Sequence, residues 1–121
     1  MDPSDSADEL IEMREQDGVL VVKVLPKRLD ASMAPAFKAA VIHQVEAGRN
    51  LVVLDMGSVA FIDSSALGAV VSCLKAIGSR GSLAISGTQG AVLKLFKLTK
   101  LDRVLKLHDT TDAAVQSIRP S

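Results

Sequence analysis

Apolar residues in this chain form short unbroken runs, separated by longer stretches in which they recur every three or four positions. The runs Val19–Leu25, Asn50–Asp55 and Ser82–Ser86 are dominated by β-branched and aliphatic residues with little alternation. Such runs are typical of strands, and a strand apolar on both faces belongs in a sheet that is covered on both sides. The pattern predicts a strand at each run, the first central and the second buried on both faces.

Two weaker signals predict further strands. Leu10–Arg14 is short and mixed, and the turn signal Asp17-Gly18 joins it to the central strand, so the two should form a hairpin with an edge strand. Val59–Ile62 is a short apolar run, and Leu105–His108 is a candidate for the last strand.

The first helix is predicted over Met33–Ala47, because apolar residues recur there at helical spacing. The preceding segment, Lys27–Ala31, follows a proline and is predicted as a connecting loop. Ser32 is the predicted N-cap, and Gly48 is placed to end the helix.

The second predicted helix, Ser64–Ser79, has two distinct faces. One is apolar and follows core spacing, with Leu67, Val70, Leu74 and Ile77. The other is small and polar, with Ser64, Gly68, Ser72, Lys75 and Ser79. Ser64 is therefore expected to open a solvent-facing stripe at the start of the helix.

Two further helices follow. One is predicted over Gln89–Lys97, and the last runs from a cap at Thr110 or Thr111 to Ile118. Leu98–Val104 is irregular and apolar, and is expected to cover the sheet. In the helix before it, the expected inward positions are Val92, Leu93 and Phe96.

The predicted order is β-β-α-β-α-β-α-β-α with short connections, which implies crossovers and a mixed α/β sheet. A length of 121 residues fits one domain. We expect a flexible acidic tail over residues 1–9 and the domain over residues 10–118.

Composition narrows the functions open to this chain. Hydrophobic residues make up 48%, and three phenylalanines are the only aromatics, so the core should be aliphatic and few side chains can stack on nucleic-acid bases. We expect no nucleic-acid partner. The acidic N-terminus lacks an apolar segment and no apolar run approaches about 18 residues, so we expect a cytoplasmic protein without membrane insertion.

The net charge of zero hides an asymmetry. Residues 1–17 hold seven acidic residues and one basic residue, a net charge of −6, and the remainder carries +6. An acidic leader of this kind is compatible with solubility, self-shielding or partner choice, and it is most simply a solvated tail.

Catalytic and metal signatures are missing from the sequence. His43 and His108 are far apart and neither has a ligand-spaced Cys or His, so no metal or other cofactor is expected. No Gly-rich phosphate loop and no Gly-x-Ser-x-Gly elbow occurs. Cys73 has no basic residue one turn away and is predicted to be a packing residue. We expect no enzyme activity.

Asp63-Ser64-Ser65 favours capping and phosphate chemistry. Asp63 can accept the backbone N–H of Ser65 or Ala66 as an N-cap, which many helices have for structural reasons alone. A phosphoryl group on Ser64 would add about −1.5 to −2 charges, and the helix start tolerates such a charge. A partner docked against the helix would not.

Phe61-Ile-Asp63-Ser64-Ser65-Ala-Leu-Gly68 resembles the signature of the STAS family, the bacterial anti-sigma factor antagonists. Leu29-Asp30 resembles the family's Gly-x-Leu-Asp segment, and Leu51–Asp55 its central strand. Val92–Phe96 with Thr99–Leu101 resembles its third helix and the loop after it. The resemblance covers roughly residues 10–118. It implies a STAS fold, a four- to five-stranded mixed sheet packed with about four α-helices.

The resemblance also implies partner switching. The unmodified protein would bind an anti-sigma factor that is also a serine kinase; phosphorylation of Ser64 would release it, and a PP2C-type phosphatase would restore it. ATP would belong to the kinase, so this chain needs no cofactor. The residues implied for the partner-binding surface are Asp30, Asp63, Ser64, Ser65, Gly68, Ser72 and Lys75.

The sequence departs from the family pattern at two places, of which the first bears on the partner's identity and the second should have a mild effect. Lys27-Arg28 stand where the family often has a glycine and an acidic residue, and Ala66 replaces a commoner glycine. Two other functions remain open. The chain could be a non-switching STAS subunit of a membrane transporter complex or stress-sensing particle, or a small-ligand or nucleotide binder using the same helix terminus.

Overall fold

The structure, a computed structural model, describes residues 10–121, so the tail predicted for residues 1–9 lies outside the described part. Seven strands occur there: β1 (Ile11–Gln16), β2 (Val19–Val24), β3 (Arg28–Leu29), β4 (Leu51–Asp55), β5 (Phe61–Ile62), β6 (Ser82–Ser86) and β7 (Lys106–His108). The four α-helices are α1 (Ala34–Glu46), α2 (Ser64–Ile77), α3 (Gly90–Leu98) and α4 (Thr111–Ile118). Short 3-10 turns lie at Gly78–Arg80 and Leu101–Arg103.

The main sheet has five strands in the order β1-β2-β4-β6-β7. β1 pairs antiparallel with β2 through the predicted hairpin, and the other pairs are all parallel. Each parallel pair requires a crossover, which α1, α2 and α3 provide in turn. The predicted mixed sheet of four to five strands with about four helices is confirmed, with five strands and four helices.

Alternation along the strands divides the core between the two faces of this sheet. On one face, the core includes Val52 and Leu54 of β4 together with buried residues of α1, α2 and α3. On the other, Val53 packs with Ala114 and Val115 of α4. The prediction that this strand is buried on both faces is confirmed, with three helices on one side and one on the other.

A second, two-stranded sheet corrects the prediction of a plain loop at Lys27–Ala31. β3 runs parallel to β5, with Arg28 opposite Phe61 and Leu29 opposite Ile62. Two-residue strands carry no periodicity of their own, so a pairing between segments 33 positions apart is invisible in the local pattern. This small sheet leads directly into α2.

The start of α1 also differs from the prediction. Met33 occupies the N-cap position without a side-chain hydrogen bond, and the helix begins at Ala34. Ser32 does not cap the helix, because its hydroxyl donates to Asp30 Oδ1 at 2.6 Å. The C-terminal prediction holds: Gly48 follows the helix with φ of +100°, a conformation that favours glycine.

The segment after α3 is a third correction. The expected cover over the sheet is wrong for its two ends, because Leu98 and Val104 are 71% and 62% exposed. In α3 itself Val92 and Phe96 are buried as predicted, but the partly buried residue packed on the core is Leu95 and not Leu93. For the last helix, Thr110 is the cap, and its hydroxyl accepts the Ala113 N–H at 3.1 Å.

Among residues 10–121, no helix combines the length and the apolar character needed to cross a bilayer.

Gly81, between the turn after α2 and β6, is predicted to tolerate no side chain. A Cβ there would overlap the carbonyl oxygen of Asn50, which accepts the Ser82 N–H. We expect Gly81→Ala to lower the free energy of unfolding by about 2 kcal/mol or more, because rigid backbone must move. The measurement is urea unfolding followed by circular dichroism.

The matched control is Gly68→Ala on α2, where nothing lies within 4 Å of an added Cβ. It should raise the free energy of unfolding by about 0.5–1 kcal/mol, since alanine is the better helix former. Equal stability of the two variants would contradict the assigned geometry at Gly81.

Candidate functional site

Asp63 fixes the start of α2. Its Oδ1 accepts the Ala66 N–H at 2.9 Å, while its carbonyl oxygen accepts the Leu67 N–H at 3.0 Å. Of the two acceptor geometries that the sequence left open, the structure has the one to Ala66. Ser64 is therefore the first residue of the helix, and its side chain is exposed.

The same carboxylate joins α2 to a distant part of the chain. Asp63 Oδ2 accepts the Ala31 N–H at 2.9 Å, across 32 positions of sequence. The β3–β5 pairing aligns the two segments, and the Asp63 N–H donates to the Leu29 carbonyl oxygen at 3.3 Å. Asp30 is thereby held beside the start of α2.

Asp30 is half-buried and accepts three hydrogen bonds. Its Oδ1 accepts the Ser32 hydroxyl at 2.6 Å and the Ser32 N–H at 3.0 Å, and its Oδ2 accepts Arg28 Nε at 3.2 Å. The Ser32 hydroxyl is the main cause that lowers the pKa of this carboxyl below its usual value; partial burial opposes the shift, and the Ser32 N–H and Arg28 add to it. Asp30 is therefore a carboxylate at neutral pH.

Arg28 and Phe61 form an exposed pair that the sequence analysis did not identify as part of the site. The guanidinium carbon of Arg28 lies 4.3 Å from the centre of the Phe61 ring, a cation–π contact. Phe61 is 40% exposed, unusual for a large apolar side chain in this molecule. The signal available in the sequence was the basic pair Lys27-Arg28 before Leu29-Asp30, but only the β3–β5 register shows what Arg28 contacts.

The predicted polar face of α2 is present from Ser64 to Lys75, but the helix ends at Ile77, so the predicted last member, Ser79, lies in the 3-10 turn that follows. Ser64, Ser65, Gly68 and Lys75 are exposed, and Ser72 is half-buried with its hydroxyl donating to the Gly68 carbonyl oxygen at 3.0 Å. The opposite face is buried and includes Leu67, Val70 and Ile77 of the predicted core stripe.

Of the predicted site residues, Asp30, Asp63, Ser64 and Ser65 lie together at one end of this face. Gly68, Ser72 and Lys75 follow along the helix, and Lys75 is about 16 Å from Ser64 at 1.5 Å per residue. These seven residues form one continuous strip at the surface, which we call the α2 strip. A strip of this length suits contact with a second protein.

Cys73 is the one cysteine of the chain, and it lies outside the strip. Cys73 is buried on the core side of α2, where burial raises the pKa of its thiol to about 11, so it is a packing residue as predicted. Within residues 10–121, no group of three or more His, Cys, Asp or Glu side chains is arranged to hold a metal ion.

We expect Asp63→Ala to lower the free energy of unfolding by about 2 kcal/mol, because it removes both the helix cap and the bond to Ala31. Asp63→Asn is the matched control: its single carbonyl oxygen can keep one of the two bonds, so it should cost about half as much. Urea unfolding measures both. If the alanine variant were as stable as the parent, Asp63 would not organise this site.

Comparison with known proteins places this geometry in a family. The model of the STAS domain family matches residues 11–114. A Thermotoga maritima protein, provisionally named an anti-sigma factor antagonist, is 35% identical over 102 residues that cover 82% of this chain and 90% of the relative. The anti-sigma-B factor antagonist of Listeria monocytogenes is 30% identical over 101 residues, covering 82% of this chain and 88% of the relative.

Solved structures agree. A crystal structure of an anti-sigma factor antagonist from Mycobacterium paratuberculosis superposes with a TM-score of 0.83 at 26% identity, covering 91% of this chain and 93% of that one. The chain therefore belongs to the STAS domain family.

Proposed function

We propose that this protein is an anti-sigma factor antagonist that works by partner switching. In its unmodified form it binds, through the α2 strip, an anti-sigma factor that is also a serine kinase. Phosphorylation of Ser64 releases that partner, and a PP2C-type phosphatase reverses the modification. The names of the relatives from Listeria and Mycobacterium support the antagonist role.

The observation that carries this proposal is the position of Ser64. Its side chain is exposed at the first residue of α2, immediately after the cap, and its neighbours Asp30 and Asp63 are held by hydrogen bonds to backbone and side chain. A kinase can therefore reach the hydroxyl without unfolding any part of the domain. Oγ would attack the γ-phosphorus of kinase-bound ATP, the bond to the ADP oxygen would break, and the hydroxyl proton would pass to a base of the kinase.

The helix start explains why the modified domain would remain folded. The N–H groups of Ser64 and Ser65 make no hydrogen bond to any residue in the range 10–121, so they are available to phosphate oxygens. The positive end of the α2 dipole also favours the added charge of about −1.5 to −2. The modification is thus compatible with the fold of this domain.

Binding of the partner would be weakened, because the phosphate lies on the exposed surface of α2 that the partner contacts. The phosphate would project from the α2 strip, where an intimate interface has little room and no solvent to stabilise a doubly charged group. The phosphatase step would return the surface to its original state, with water taking the phosphoryl group. The charge changes binding and leaves the fold intact, which is the property a reversible switch needs.

Gly68 supports close contact along the strip. A glycine inside an exposed helix costs about 1 kcal/mol relative to alanine, and no atom within 4 Å of its missing Cβ explains the choice. The bare backbone at this position, flanked by Ser64, Ser72 and Lys75, offers a flat surface that a partner can approach closely.

The central test is a charge at Ser64. Ser64→Asp should weaken binding to the anti-sigma kinase by roughly tenfold or more, because a carboxylate enters the interface, while Ser64→Ala should bind constitutively. The measurement is calorimetric titration with the kinase captured from the native cells on the Ser64→Ala protein. Unfolding must be measured too, since Asp at a helix start should raise stability slightly and so separates lost docking from lost folding.

Ser79→Asp is the matched control, because Ser79 is exposed and lies beyond the C-terminal end of α2, in the short 3-10 turn Gly78–Arg80. It should leave binding nearly unchanged. If Ser64→Asp bound the kinase as tightly as the parent protein, the switch would be ruled out. Intact mass spectrometry of the protein from its own cells gives the second readout, since no mass gain of one phosphate would favour a non-switching STAS subunit.

A separate prediction concerns bulk at Gly68. Gly68→Gln should reduce kinase affinity by roughly tenfold, because the side chain has open space in the free protein but would stand in the interface. Ala39→Gln adds a similar side chain at an exposed position of α1 and should not alter binding. Calorimetric titration compares the two. Unchanged affinity of Gly68→Gln would place the partner elsewhere on the surface.

A further inference from the structure

The guanidinium of Arg28 is held in a fixed position beside the start of α2. Its Nε donates to Asp30 Oδ2 at 3.2 Å, and its plane lies over the Phe61 ring at 4.3 Å. Arginine has five N–H donors, and the four on the two terminal nitrogens make no hydrogen bond to residues 10–121. The side chain is 63% exposed, so these donors face solvent. Two contacts thus orient a planar group whose remaining donors are available to an anion.

A series of contacts connects Arg28 to the segment that precedes Ser64. Arg28 lies opposite Phe61, three positions before Ser64, and its side chain extends forward to Asp30 at the end of β3. That end of the small sheet is where β5 leads through Asp63 into α2. The bond from the Ala31 N–H to Asp63 holds the two ends together.

The charges at this place are unbalanced once a phosphate is added. Asp30 and Asp63 supply two carboxylates beside Ser64, and phosphoserine would bring about −1.5 to −2 further charges. The salt bridge at this site, among residues 10–121, is that of Arg28 with Asp30. Arg28 is therefore the cation in place to offset the added charge.

We propose that Arg28 binds the phosphate of phosphoserine 64 within the same chain. Its two terminal nitrogens donate in parallel to two phosphate oxygens, and the free N–H groups at the start of α2 complete the site. This inference rests on the proposed function, because it requires Ser64 to be the modified residue.

On binding, Arg28 would exchange its ion pair with Asp30 for one with the phosphate, and the chemistry of phosphate favours this exchange. Arginine pairs bidentately with phosphate oxygens, and a doubly charged phosphate attracts it more strongly than the single charge of Asp30. Leaving Asp30 and the Phe61 ring costs Arg28 little, because both contacts lie at the surface and contribute little to stability.

The exchange alters the docking surface as well as its charge. When Arg28 turns to the phosphate, Asp30 loses its ion pair and the covered face of Phe61 opens to solvent. A partner that fits the unmodified arrangement then meets a surface changed at three neighbouring positions. Phosphorylation thereby acts on shape and charge together.

The test uses the chain with phosphoserine incorporated at position 64 during translation, so no kinase is needed. Phosphorus NMR follows the second ionisation of the phosphate as pH is varied. An adjacent guanidinium favours the dianion, so Arg28→Gln should raise this pKa by roughly half a unit at low salt. Lys75→Gln removes the same charge about 16 Å along the helix and should shift the pKa much less.

Nitrogen-detected NMR of arginine side chains gives the second readout. In the unmodified protein the Arg28 Nε signal should carry the ring-current shift of Phe61, and phosphorylation should remove it. Thermal unfolding of each variant shows whether it is folded, and Arg28→Lys should restore only part of the pKa shift, since an ammonium cannot donate bidentately.

Equal phosphate pKa values in the parent and Arg28→Gln proteins would overturn the inference. So would weaker binding of unmodified Arg28→Gln to the kinase without any change in that pKa, because the guanidinium would then serve a carboxylate of the partner. Neither result touches the proposed function, which depends instead on the phosphate mass gain in cells and on Ser64→Asp.

Discussion

The Asp63 carboxylate is the constraint on which this site depends. One of its oxygens caps α2 and the other holds the backbone at Ala31, so a single side chain fixes both where the helix begins and which loop lies beside it. The β3–β5 pairing already aligns the same two segments, and the bond to Ala31 extends their contact beyond the end of β3. Together these contacts form one surface, on which Ser64 is exposed.

This arrangement separates the energetics of folding from those of docking. The buried side of α2 lies in the apolar core formed with α1, α3 and the sheet, while the exposed strip contributes little to that core. A charge added at Ser64 therefore meets favourable backbone groups and no buried side chain. Selection can then act on the strip for partner choice at small cost to stability.

Arg28 is a departure from the family's sequence pattern, and its contacts in the structure show what the residue does. Next to the Leu29-Asp30 segment, a basic residue gives Asp30 a counter-ion and covers an exposed aromatic ring. Both contacts lie at the surface, so their net contribution to stability is small. Their main effect is on the charge and shape that a partner meets, and partners of this protein are expected to complement that combination.

The sequence by itself determined the five strands of the main sheet, the four helices and the exposed position of Ser64, because uninterrupted apolar runs and helical periodicity are local signals that burial then satisfies. It also determined the family, through the ordered motif at Asp63–Gly68. Tertiary structure alone decided the pairing of β3 with β5, the link from Asp63 to Ala31, the role of the Ser32 hydroxyl and the exposure of Leu98 and Val104. Each of these depends on contacts between segments distant in sequence, or on which side of a short irregular turn packs on the core. Neither feature produces a periodic pattern of hydrophobic residues that the sequence alone would show.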